Sequence, residues 1–139
     1  MTEMKIELRQ VSESTSEASM RDHHVLIDRP QEKGGADRGP MGGELFLASI
    51  GGCFMSNLLA ANRARKAEVS DVRTQVTGTI IEAPARFSAI KVHVTANGPI
   101  DQIERLVEVA DRGCIMMNTL REKLPFDLRA TSLLTTPTR

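Results

Sequence analysis

Two cysteines, Cys53 and Cys114, are the residues of this chain best suited to chemistry, and they stand 61 positions apart with no Cys-x-x-Cys spacing. In a reducing compartment such a pair is more often free, catalytic or redox-sensing than a structural disulfide. A thiol becomes a nucleophile when it ionises, and a helix N-terminus, Arg, Lys or protonated His ionises it. Cys114 follows Gly113 at the expected start of a helix, where its thiolate would face the positive pole. Cys53 lies in mid-helix and would need a cation from elsewhere: Arg29 or Arg38 of the preceding loop, or one from a second subunit. Two such thiols fit an attacking and a resolving cysteine that meet in the fold. By spacing alone they fit better as small core hydrophobes, since free cysteine is among the most buried residue types.

Other chemistry is poorly provided for. His23, His24 and His93 have no acidic or cysteine partner at ligand spacing, so no metal site is expected. The segment Gly34-Gly35-Ala36-Asp37-Arg38-Gly39 lacks both the Gly-Lys-Ser/Thr ending of a P-loop and the dinucleotide-binding spacing, so it reads as a turn and no cofactor is implied. Met116-Met117 reads as core filling. Lys and Arg number 18, matching 18 Asp and Glu, which removes the field of a nucleic-acid binder, and with no Tyr or Trp there are no stacking platforms. The N-terminus alternates charged and apolar residues, and the expectation is that no stretch reaches the ~20 apolar residues of a membrane span. The chain is expected to be cytoplasmic.

The elements that must position the thiols follow from periodicity. At 139 residues the chain, 1–139, reads as one domain that can bury roughly two-thirds of its unfolded surface. Residues 44–66 form one helix without proline, apolar on nearly all sides and therefore expected to be buried on nearly all sides. Ser49 and Asn57 lie one turn to either side of Cys53. Gly51-Gly52 costs roughly 1 kcal/mol per residue against alanine, which points to a close approach of another backbone or a ligand. Residues 4–11 alternate as a half-buried strand, 12–19 read as a solvated loop, 23–28 as a second strand, and 30–43 as a glycine- and proline-rich loop. Residues 72–80 and 90–96 form a hairpin around Glu82-Ala83-Pro84-Ala85. Asp101 can cap an amphipathic helix with Ile103, Leu106, Val107 and Ala110 on one face, ended by Gly113. A short helix over 114–124 and a last strand over 127–134 complete an α+β order.

The segments Gly34 to Pro40, Glu44 to Cys53, Ala83 to Phe87 and Cys114 to Leu120, in this order, resemble the successive signatures of the OsmC/Ohr family (osmotically inducible protein C and organic hydroperoxide resistance proteins). The likeness runs from about residue 23 to the end and is nearest to the OsmC-like subgroup. It implies an intertwined homodimer in which two long cysteine-bearing helices are wrapped by antiparallel sheets. It implies, too, thiol-dependent reduction of organic or hydrogen peroxide in oxidative-stress defence: Cys53 becomes a sulfenic acid, Cys114 closes a disulfide on it, and a dithiol such as a lipoylated protein restores both. In the family an arginine paired with a glutamate steadies the thiolate. Arg29, at the end of the second strand, fits the arginine's place better than Arg38. The glutamate's position, ten residues before the first cysteine, is Gly43, and Glu44 lies about 180° round the helix from Cys53, so it reads as a first-turn carboxylate at the positive helix end. Gly43 also favours another reading, a non-catalytic dimeric binding protein for an apolar ligand or thiol partner on the same scaffold.

Overall fold

The computed structural model describes residues 1–122, 124, 125, 127, 129, 130 and 132. Three antiparallel strands come first, β1 (Glu7–Gln10), β2 (Ser16–Met20) and β3 (His23–Ile27), in the order β1-β2-β3. A 3-10 turn (Gln31–Lys33) leads to α1 (Gly42–Arg65); then follow the hairpin β4 (Ser70–Ile81) and β5 (Arg86–Asn97), α2 (Ile100–Gly113) and α3 (Ile115–Leu120). Antiparallel sheets and segregated helices make this the expected α+β fold.

α1 runs unbroken because no proline or β-branched run interrupts it between Pro40 and its end. Glu44 accepts the Met41 N–H at 2.9 Å, satisfying a donor ahead of the first turn. At about 100° per residue the buried Ile50, Gly51, Phe54 and Leu58 share one half of α1, and that half packs on β4, α2 and α3. Ala48, Ser49, Gly52, Ser56, Leu59 and Ala60 fill the other half and are exposed. The expectation of burial on nearly all sides is therefore not met within one chain, which covers only half of the helix. Gly51 and Gly52 divide on the same line. A Cβ on Gly51 would stand 3.0 Å from the Val76 side chain, whereas one on Gly52 would meet nothing within 4 Å. By length and composition this 24-residue helix is apolar enough to cross a membrane, contrary to the expectation that no stretch reaches that size. Its serines and asparagines interrupt the apolar run in sequence but do not lower the mean enough to exclude it.

The hairpin pairs Thr74 with Val94, Val76 with Val92 and Gly78 with Ile90, placing the expected alternating residues on one face toward α1. α2 buries Leu106 and Ala110 against α1, at the spacing expected. It starts two residues earlier than a cap at Asp101 requires: Pro99 takes the capping position in extended conformation, and Asp101 stands in the first turn. α3 stops at Leu120, short of the expected 124, where Arg121 ion-pairs with Asp111 and donates to Asn118 Oδ1 at 3.0 Å. Half of the strand expected over 127–134 lies outside the described residues, and Asp127, Arg129, Ala130 and Ser132 carry no regular structure.

The N-terminal sheet departs most from expectation. Ser16–Met20, read as loop, is its central strand, bonded by β1 on one side and β3 on the other. Backbone pairing rather than apolar alternation makes this strand, since only Ala18 along it is buried. β1, expected to be half buried, is exposed throughout, and Met4, Ile6 and Leu8 beside or within it are uncovered.

Candidate functional site

Cys53 sits on the boundary between the two halves of α1, with buried Ile50 and Phe54 on one side and exposed Ser49 and Ser56 on the other, and is itself half-buried. Cys114 is fully buried and occupies the capping position of α3, with φ −80° and ψ 115°. The two thiols are close enough to act on each other's ionisation. The fold thus brings together sulfurs that the sequence separates by 61 positions, because α3 packs on α1 as well as on α2.

The backbone amides that open α3 lie beside the two sulfurs. Met117 N–H donates to Cys114 Sγ at 3.5 Å. The Met116 N–H is the main influence on Cys53 and holds its thiol below the ordinary value; partial burial opposes this, while the Cys114 thiol and the Ile115 N–H add to the lowering. Burial raises the Cys114 thiol, and the neighbouring Cys53 sulfur and its charge raise it further, against the Met117 and Met116 amides. Of the two thiols, Cys53 is thus the one held lower and Cys114 the one held higher. The roles expected of the two cysteines stay as they were, and what changes is the sulfur that the helix end serves. The positive end of α3 was expected to serve Cys114 and to leave Cys53 without help, but helix packing aims it at Cys53, while burial governs Cys114.

Arg29 and Arg38 lie on the loop between β3 and α1, and both are exposed. Neither is among the groups that set the Cys53 thiol. Their backbones instead surround Asp28. This carboxylate, only 3 % exposed, accepts from Arg29 N–H at 2.7 Å, Thr15 Oγ1 at 2.9 Å, Arg38 N–H at 3.2 Å and Ala36 N–H at 3.3 Å. Burial pushes Asp28 up, but these bonds, with one from the Ser14 side chain, outweigh it and bring the carboxyl down to about 2. The chain closes tightly here, since a Cβ on Gly35 would fall 2.0 Å from the Arg29 carbonyl oxygen. Sequence reasoning missed this clasp; the one signal was an Asp directly before Arg-Pro at the end of a strand. Glu44 lines a groove of about 450 Å³ with Leu47, Gly51, Met55, Thr74 and Val76, on the side of α1 away from Cys53, and Gly43 brings no side chain.

No curated protein matches the sequence. Among solved structures, a hypothetical protein from Aquifex aeolicus VF5 superposes with a TM-score of 0.74 at 20 % identity, over 87 % of this chain and 89 % of the other. An OsmC like protein from Mycoplasma pneumoniae gives 0.73 at 16 % identity, over 86 % and 88 %. An organic hydroperoxide resistance protein from Elizabethkingia anophelis, with crystallant-derived thiocyanate bound, gives 0.62 at 22 % identity, over 86 % and 90 %. These likenesses establish the fold. Residues 34–129 match the family described as OsmC-like protein. That span runs from the glycine-rich loop through both cysteines and takes in most of the chain, which therefore belongs to the OsmC-like protein family.

Proposed function

We propose that this chain is a thiol-dependent peroxide reductase that works as a homodimer in the cytoplasm. The carrying observation is that the packing of α3 on α1 brings a half-buried Cys53 and a buried, helix-capping Cys114 together, with the first held toward thiolate and the second toward thiol. The Cys53 thiolate attacks the terminal peroxide oxygen, the O–O bond breaks, and the alkoxide leaves as alcohol with the proton Cys53 had released. The resulting sulfenic acid is attacked by Cys114, whose proton departs with the hydroxyl as water, leaving a disulfide. An external dithiol takes up that oxidation and returns both cysteines to thiols. The name of the Elizabethkingia neighbour bears on this reading, as does family membership.

Pairing with a second copy accounts for the uncovered half of α1 and for the exposed β1, and among the described residues the N-terminal sheet makes no extensive contact with the other elements. In this arrangement the arm carrying Arg29 and Arg38 brings a guanidinium to the partner's thiol. The test is steady-state consumption of cumene hydroperoxide with a dithiol reductant. The parent should turn over and Cys53→Ser should not, and equal rates would end the proposal. A binding protein without turnover is the second reading, favoured by Gly43 at the glutamate position and by the groove along Leu47, Gly51 and Met55.

A further inference from the structure

Cys114 closes one end of α3 as well as meeting Cys53. This helix has six residues, far too few to hold itself without tertiary support. Its first donor with a backbone partner is Asn118 N–H, on the Cys114 carbonyl at 3.0 Å. Of the three donors before it, Met117 N–H is held by sulfur, on Cys114 Sγ at 3.5 Å, and the Ile115 and Met116 amides lie close enough to influence the thiols. The other end is tied without sulfur, by Asn118 Nδ2 on the Arg112 carbonyl at 3.1 Å and by the Arg121–Asp111 ion pair. Met117 belongs to the sulfur-held turn, packs on the core cluster, and walls two surface grooves, one with Phe54, Val94 and Val107 and one with Phe87 and Leu120.

We propose that Cys114 is also the redox-sensitive cap of α3, so that closing the Cys53–Cys114 disulfide uncaps the first turn and loosens the Met117 wall between the two grooves. Disulfide formation removes the Cys114 proton and any charge on Cys53, and with the charge goes the stronger class of hydrogen bond. It also draws the sulfurs together to about 2.05 Å, turning Cys114 Sγ toward Cys53 and away from the Met117 N–H. The oxidation state of a buried pair is thereby reported at the surface.

This inference rests on the proposed reading only in requiring that the pair can close, so the experiment closes it without peroxide. Diamide, a diazene oxidant, takes two hydrogens from the thiols and is reduced to the hydrazine. Intact mass then shows a loss of about 2 Da, and amide exchange is followed by NMR in the full chain. Met116 and Met117 should exchange about fivefold faster or more in the oxidised chain, as loss of a cap implies, with Leu106 in α2 unchanged. In Cys114→Ser, where the hydroxyl still caps but cannot pair, diamide should change nothing at Met117. A chain that loses 2 Da while Met117 exchanges as slowly as before overturns this inference alone. A chain that never loses 2 Da overturns the pairing and the inference with it.

Discussion

Cys114 caps α3 with its own sulfur, which accepts the Met117 N–H at 3.5 Å, and the same helical turn holds the Cys53 thiol below its ordinary value. A buried thiol and an adjacent amide thus favour the Cys53 thiolate within the single chain. Neutral donors at hydrogen-bonding distance favour the thiolate without bringing a second buried charge that would itself need a partner.

Alkylation across pH should separate the two cysteines. Cys53 is expected to react with iodoacetamide with a midpoint below the roughly 8.5 of a free thiol, because amide and thiol donors favour its charged form. Cys114, buried and raised, should stay slow over the same range. Cys114→Ala deletes one donor and should move the Cys53 midpoint upward. Peptide mapping of the alkylated chain reads all three, and a parent midpoint at or above the free value contradicts the geometry.

Asp28 should leave a signature in acid. Its carboxyl, near 2 in the folded chain, ordinarily titrates near 3.9 in the unfolded one. The folded pKa is the lower of the two, so this group's stabilising effect is complete above about pH 4 and is lost as pH falls toward 2. Asp28→Asn presents donors to N–H groups that need an acceptor, and should lower stability at pH 7. Between pH 4 and 2 the variant should lose less than the parent does, bringing the two curves together. Urea unfolding at pH 7, 4 and 2 measures this; parallel curves would refute it.

The two adjacent glycines of α1 should behave differently. Gly51→Leu forces a side chain into Val76 and should destabilise the chain by roughly 1–3 kcal/mol, the usual cost of overpacking. Gly52→Leu points into open space in the single chain, so its fold should survive; on the proposed dimer face it should shift the chain to monomer. Thermal melts and sedimentation together test this, and a dimeric Gly52→Leu would place the partner elsewhere.

The parts legible in the sequence were those in which one physical signal dominates. Helix formers without proline gave α1, strict alternation gave the β4–β5 hairpin, and Ile103, Leu106, Val107 and Ala110 gave the inward face of α2. β2 was hidden because Ser16-Glu17-Ala18-Ser19-Met20 has no apolar period and is held by pairing on both sides. The site was half visible. Two cysteines and a helix start at Cys114 could be seen, but which sulfur that helix end serves is decided by how α3 packs on α1, and no local pattern records it. The arginines stood out as cations near the thiol in sequence, whereas in the fold their amides clasp Asp28.

One equivalent of cumene hydroperoxide, added to the reduced chain without dithiol and followed by intact mass, tests the thiol pair most directly. The account predicts a loss of about 2 Da in the parent and a gain of about 16 Da in Cys114→Ser, where the Cys53 sulfenic acid has no partner to close on. An unchanged mass in both, with the thiols still open to alkylation, would contradict it.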